Sequence, residues 1–299
     1  MKSKAPKHIT TFPADLEHKL EFDQLRQLLA ELCVSDLGSN EVQKICFYTS
    51  ISKISELLRE TSEFKYILNK GYSFPITHYL DLSSSLKILS IEDSTLGAES
   101  FQQLGQVLTT IQKIFAFFKK YKEELPCLSQ MLEDAEWEPV LLKKIETIIG
   151  DDGEIRDNAS KALAEIRKKI KKGQAEMERI FIRVLKHCRT NKWLQDEEQS
   201  VRRGDQVLAI ESKYKRKVKG LILDESSTGK TTFIQPEEVV QLNYKLYAYF
   251  QEEKKEIERI LRELSDFFRP HLPPLLHYQY LLGRFDCIRA KAKLAIQLK

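Results

Sequence analysis

Positions 159, 163, 166, 170, 173, 177, 180, 184 and 187 step by four and three in strict alternation, and all but Gly173 and His187 are apolar. A 3.5-residue repeat of this kind is the seam of a helix packed lengthwise on another. Its partner is the stretch where Val239, Leu242, Leu246, Tyr249, Ile257, Ile260, Leu264 and Phe267 recur in a similar way, with Glu253 at a position expected to be apolar. Segments 157–189 and 236–268 hold 33 residues each, about 50 Å of helix at ~1.5 Å per residue. Equal lengths predict an antiparallel pair. Pro236 suits the first turn of the second helix and Pro270 stops its far end. In that alignment Gly173 and Glu253 lie close to each other near mid-helix, and a flexible joint is the expectation there. The competing reading is a Glu253 that reaches to solvent beside a tolerated glycine.

Between the two helices the period changes. Residues 194–235 are rich in β-branched residues and turn signals, which predicts a small β module at the far end of the pair. Residues 221–223 and 232–234 read as a hairpin turning at Ser226 to Gly229. Lys213, Lys215, Arg216, Lys217 and Lys219 fall at a predicted strand and turn.

Upstream the apolar spacing is that of a packed helical domain. Phe22, Leu25, Leu28, Leu29 and Leu32 share a face, with Asp23 placed to cap its start. Further helices are predicted over 51–69, capped by Ser50 and closed by Gly71, and over 82–89, 98–121 and 139–149. The break at Gly150-Asp151-Asp152-Gly153 ends that domain. The expectation is a mainly α fold in six parts: a disordered tail (1–13), a helical core (14–150), an outgoing helix (151–193), the β module (194–235), a returning helix (236–269) and a return to the core (270–299).

Composition narrows the function classes. The chain has 299 residues, 42% hydrophobic and 31% charged, enough to bury two or three compact units. No apolar run approaches the roughly 18 residues of a spanning helix, and the basic start lacks an apolar h-region, which predicts a cytoplasmic protein without membrane contact. The five cysteines are scattered with no CxxC pair, so neither disulfides nor a zinc site is expected. The net charge of +4 says little, but its distribution is uneven. Residues 164–189 carry nine basic against three acidic side chains, residues 202–219 seven against two, and residues 221–268 six against ten. Part of the basic excess can therefore pair across the two helices.

Ser227-Thr228-Gly229-Lys230-Thr231-Thr232 ends like the phosphate-cradling motif GxxxxGK[ST], yet the first glycine position is Asp224 and a strand follows in place of a helix. ATP is not expected there. The histidines form no local arrangement with Cys, Ser and Asp that would serve acid-base or nucleophilic catalysis, and no catalytic residue or metal site is predicted. What remains is the basic tip, where Arg202, Arg203, Lys213, Lys215, Arg216, Lys217, Lys219 and Lys230 are candidate contacts to a nucleic-acid backbone. Its plain alternative is a solvated hairpin whose lysines guard a strand edge.

The run Asp151-Asp152-Gly153-Glu154-Ile155-Arg156-Asp157-Asn158-Ala159-Ser160, followed by Leu163, Ile166 and Arg167, resembles the DGxIxDxAS, L, IR signature of the second bacterial branch of MutS proteins, the MutS2 branch that carries Smr domains. Leu20-Glu21-Phe22-Asp23, Leu28-Leu29 and Leu37-Gly38 are similar to its N-terminal helix pair. Val218-Lys219-Gly220, Asp224, Ser226-Ser227, Gly229 and Pro236 are similar to its clamp, and Phe285-Asp286, Ala290-Lys291-Ala292 and Ala295 to its return to the core. The resemblance covers residue 16 to the end. It implies a core, lever and clamp architecture in which the clamp touches nucleic-acid backbone and the levers link it to an ATPase.

On the same resemblance, this chain is the N-terminal portion of a larger protein, without the ATPase and Smr nuclease domains, so ATP and Mg are expected only with the former. Implied partners are duplex or branched DNA, in suppression of recombination, or a stalled or collided ribosome and its rRNA. A homodimer is implied for the full-length protein. The alternative of another class is a structural coiled-coil scaffold or dimerisation module that touches no nucleic acid.

Overall fold

The computed structural model describes Pro13 and residues 15–76 and 79–298, so the predicted tail falls outside the described residues apart from Pro13. The chain forms two compact units, Met1–Arg156 with Leu261–Lys299, and Asp157–Ile260. Helices dominate, with one small antiparallel sheet. In chain order they are α1 (Leu16–Lys19), α2 (Phe22–Leu32), α3 (Asp36–Gln43), α4 (Ile51–Lys70), α5 (Ser83–Leu89), α6 (Ala98–Lys120), α7 (Pro126–Gln130), α8 (Pro139–Ile148) and α9 (Lys161–Thr190). Strands β1 (Leu194–Arg202), β2 (Asp205–Glu211), β3 (Gly220–Glu225) and β4 (Thr231–Pro236) follow, then α10 (Glu237–Phe268) and α11 (Leu272–Gln297).

The first unit is built around α11, which is buried on almost every side and touches α2, α3, α4 and α5. A helix with no solvated face belongs in a core. Phe285 of α11 stacks on Phe118 at 5.2 Å and meets Phe74 at 5.8 Å, while Phe64 and Phe117 close on Phe74 at 4.9 and 5.2 Å. Offset and edge contacts of this kind add to the burial of large rings.

One residue further along, the fully buried Asp286 carboxylate accepts from the Val34 and Ser35 amides and the Ser35 hydroxyl at 2.8–3.0 Å. Arg289 adds a bond at 3.2 Å, and its guanidinium also holds the Leu32 carbonyl. Ser35 in turn caps α3 by accepting from the Gly38 amide at 3.2 Å. A Cβ on Gly38 would stand 2.3 Å from an Asp286 oxygen, so only glycine lets the helix approach this closely. The Leu37-Gly38 and Phe285-Asp286 segments, distant in sequence, thus meet.

Ser50 caps α4 by accepting from the Lys53 amide, and Gly71 closes it with φ at +68°, both as expected from sequence. Asp23 does not cap: Glu21 holds the N-cap position of α2, without a side-chain bond, and Asp23 sits in the first turn. A separate short α1 ends just before it, which moves the start back.

In the second unit α9 and residues 237–260 of α10 run antiparallel. Ser160 Oγ donates to Glu256 at 2.6 Å, Arg167 Nε donates to Glu253 at 2.7 Å, Lys169 lies 5.7 Å over the Tyr249 ring, and Arg183 pairs with Glu238. Gly173 faces Leu246, whose Cδ2 would be 2.7 Å from an added Cβ. The register is therefore shifted from the one predicted by equal lengths. Gly173 and Glu253 do not meet; each has its own partner. The cause is the sheet, which claims the last turns of α9: Phe181, Leu185 and Cys188 pack against Leu208, Ile210, Val218 and Ile234 instead of against α10.

The seam also drifts. Leu163, Ile166, Ile170, Gly173 and Met177 follow the predicted spacing, but beyond them Phe181, Leu185 and Cys188 are buried, and His187 is exposed with its ring 5.4 Å from Trp193. A straight helix has 3.6 residues per turn, so a strict heptad face rotates by about 20° per repeat. The predicted seam position of His187 is thereby corrected to Cys188.

Candidate nucleic-acid interface

The sheet has the order β1-β2-β4-β3, all antiparallel. Leu208, Ile210 and Ile234 face the α9 end, and Val207, Ala209 and Phe233 form a second small cluster with Leu223 on the opposite face. This alternation follows from the period of two along a strand. β1 and β2 join through Arg203 and Gly204, with φ of +52° and +88°. Two consecutive left-handed residues make the tight hairpin turn that matches strand twist. The predicted hairpin of β3 and β4 is present: Gly229 adopts φ +67°, and Ser226 bonds Thr231 through both its amide and its hydroxyl.

β2 and β3 are separated in the sheet by β4, so the chain between them must cross it. Residues 212–219 do so as a 3-10 turn (Ser212–Tyr214) and a loop, where the sequence had predicted a strand. Tyr214 and Val218 pack inward on the Leu208, Ile210 and Ile234 face. With these two apolar residues spent on the core, the intervening cations are turned to solvent. Pro236 is likewise not in a helix: it is the buried last residue of β4, paired with Gly220, and α10 begins at Glu237.

The eight predicted contacts separate into two groups. Arg202 lies 3.9 Å over the Phe233 ring, bonds Ser200 at 2.6 Å and pairs with Asp224 at 3.3 Å, so it covers the outer apolar cluster. Lys213 pairs with Glu211, which raises its pKa, and Lys215 pairs with Glu225 at 3.1 Å. Among the described residues Arg203, Arg216, Lys217, Lys219 and Lys230 are exposed and form no ion pair. Lys219 and Lys230 stand at opposite ends of β4: the Lys219 carbonyl accepts from Glu237 N and the Lys230 carbonyl from Ser212 N. The in-house neutralisation of three of the eight was not readable from a basic count, because Glu211, Asp224 and Glu225 become neighbours only through strand pairing.

At the other end of the helix pair, Ser160 caps α9 by accepting from the Leu163 amide at 3.0 Å while donating to Glu256. Arg259 and Ser160 together hold the Glu256 carboxyl down to about 2, against burial. Arg167 spans Glu253 and Asp157, and its hydrogen bond, with that of Lys171, lowers the Asp157 pKa. Asp157, Ser160 and Arg167 are all signature residues. In the first unit, the earlier part of the same signature forms a turn with Gly153 at φ +84°, closed by the bridge between Ile149 and Ile155.

Among the described residues no group of His, Cys, Asp and Glu is arranged to hold a metal ion, and no helix is long and apolar enough to cross a membrane. The Lys230 turn is a hairpin in the second unit and precedes a strand. All five cysteines are free.

A mainly helical chain with one small antiparallel sheet, whose signature residues cap, pair and turn, fits the class that the sequence resembles. No family model matches the chain. Over nearly all of its length it is similar to proteins named Endonuclease MutS2: 30% identical over 285 residues to that of Geobacillus sp. (strain WCH70), 32% over 291 residues to that of Listeria innocua and 29% over 283 residues to that of Enterococcus faecalis. These alignments cover 94%, 95% and 94% of this chain and 36% of each relative. The chain is thereby shown to be MutS2-like, and it spans about a third of the length of the curated relatives it matches.

Proposed function

We propose that the second unit is the lever and clamp of a MutS-type protein and that its sheet grips the phosphate backbone of duplex or branched DNA. The observation that carries this reading is the set of five unpaired, exposed cations, Arg203, Arg216, Lys217, Lys219 and Lys230, displayed on turns and a crossing loop of a sheet whose apolar residues are all engaged elsewhere. Cations without an acid partner are the ones that can release counterions on meeting phosphates. None of them is set to read a base edge, so the grip is independent of sequence. The name of the relatives includes endonuclease, but they are proteins nearly three times as long; this part holds the substrate and does not cut it.

The test is a titration of labelled duplex and four-way junction DNA at several salt concentrations. Replacing the five free cations by Ala weakens binding to every sequence and lowers the salt slope by about 0.9 log units per lost contact. Replacing Lys213 and Lys215, already paired, has a much smaller effect. Unchanged binding in the five-fold variant sinks the reading.

A second reading is a coiled-coil scaffold or dimerisation module. It draws support from Arg202, Lys213 and Lys215, whose charges are balanced within the sheet. Failure of the unaltered chain to bind DNA or purified ribosomes at low salt favours it. Binding to ribosomes alone transfers the same five cations to rRNA phosphates.

A further inference from the structure

The first unit contains a cleft of about 1190 Å³ lined by α4, α7, α11 and the segment after α3. On its floor Glu60 is 3% exposed, yet its carboxylate receives one hydrogen bond among the described residues, from Arg284 Nη2 at 2.9 Å. Asp286, equally buried, receives four. The Arg284 Nε atom is buried and donates to nothing in the protein. An acceptor and a donor therefore lie side by side with capacity unspent, at a cost of about 1–3 kcal/mol for each buried group left unmatched. Burial pushes the Glu60 carboxyl up in spite of Arg284. A perturbed acid with one charge partner in the largest cleft is the arrangement expected of a ligand site.

The walls specify the ligand. Tyr48 and Tyr280 line the cleft, the latter half exposed, and both present phenol rings without a fold-wide stacking partner of their own kind. Lys53 and Lys291 also line it; Lys53 shares its charge with Glu56 at 2.7 Å, and Lys291 has no ion pair among the described residues. Rings, a donor beside an acceptor, and an unpaired cation match a ring with a hydrogen-bonding edge attached to a phosphate.

We propose that this cleft binds a purine nucleotide of the guanine type. The N1–H and N2–H donors of the base meet the Glu60 carboxylate, its ring oxygen or N7 accepts from Arg284 Nε, Tyr280 and Tyr48 flank the ring, and the phosphate lies at Lys291 and Lys53. Adenine presents an acceptor where guanine presents N1–H, so Glu60 discriminates against it. No residue of the second unit lines the cleft, and the inference stands apart from the clamp reading.

Calorimetric titration of the whole chain with GMP, AMP and inorganic phosphate tests it. GMP binds most tightly, AMP at least about tenfold more weakly, and phosphate more weakly still. Loss of a stacking ring worth ~1–3 kcal/mol predicts a ten- to hundredfold weaker GMP affinity in Tyr280→Ala, and Lys291→Ala also weakens it, with unfolding temperatures unchanged because both side chains are at the cleft surface. Glu60→Gln removes the preference for GMP over AMP. Lys230→Ala, in the Gly-Lys-Thr turn of the second unit, changes nothing. The proposal is overturned by absence of GMP binding at millimolar concentration, by equal affinity for all three ligands, or by binding that survives Tyr280→Ala and Lys291→Ala but not Lys230→Ala.

Discussion

The two units treat their polar groups in opposite ways. In the first, a buried acid is saturated with donors and surrounded by stacked rings, so that Asp286, Ser35, Arg289 and Gly38 depend on one another. In the second, one apolar seam is buried and the polar groups lie along its edges as pairwise latches, Ser160 with Glu256, Arg167 with Glu253, Arg183 with Glu238. A saturated buried network fails as a whole when one member goes, because the partners left behind stay buried. Edge latches fail one at a time. The first unit should therefore be brittle to single substitutions and the second tolerant.

Each unit has one tryptophan, Trp137 in the first and Trp193 in the second, so fluorescence of Trp→Phe variants follows the two unfolding events separately. The largest effect is expected for Asp286→Ala, which orphans two amides, a hydroxyl and the Arg289 charge: about 3–5 kcal/mol lost from the Trp137 transition and nothing from that of Trp193. A loss under ~1 kcal/mol would show that the network is not what braces this unit. Next comes Gly38→Ala, whose methyl has no room beside Asp286; about 1–3 kcal/mol is expected from overpacking, in the same transition.

Ser160→Ala sits on the other side of the comparison. It removes the cap of α9 and one bond to Glu256, for a loss of about 1–2 kcal/mol confined to the Trp193 transition. The pH dependence follows from Glu256, whose folded pKa of about 2 lies below its ordinary 4.5. A depressed acid stabilises the folded state above its unfolded pKa and loses that contribution as pH falls from about 4.5 toward 2. The stability of the second unit should decline over that window, and less steeply in Ser160→Ala. Identical pH profiles would separate Ser160 from the titration.

How far each feature could be read from the sequence tracks the same division. The antiparallel pair, the hairpin of β3 and β4 and the helices of the first unit follow from local period and turn chemistry, and these appear where predicted. The register of the pair did not follow, because it is set by Phe181, Leu185 and Cys188 docking under the sheet, a contact that no periodicity announces. The basic tip was visible as charge, but Arg202 over Phe233 and Lys215 beside Glu225 were not, since strand pairing brings these residues together across 31 and 10 positions of sequence. Glu60 gave no signal at all. Its position on α4 is indistinguishable in pattern from a solvated acid, and only α11 returning beside it makes it a buried one.

Gly173 offers the finest measure of the second unit's tolerance. In an exposed helix interior Gly→Ala gains about 1 kcal/mol, but here the methyl would stand 2.7 Å from Leu246 Cδ2. The obstacle is the end of a flexible side chain, so Leu246 can swing aside at a cost close to the gain. The net change expected for Gly173→Ala is therefore within about 1 kcal/mol of zero. A double-mutant cycle resolves the two terms. In a Leu246→Ala background, itself destabilised by the loss of a buried leucine, the clash is gone and only the propensity gain remains, so Gly173→Ala should stabilise there by about 1 kcal/mol. That coupling distinguishes a glycine kept for close packing from one kept for bending. Additive effects, together with faster hydrogen exchange around Gly173 than in the turns on either side, would instead favour a joint at that point.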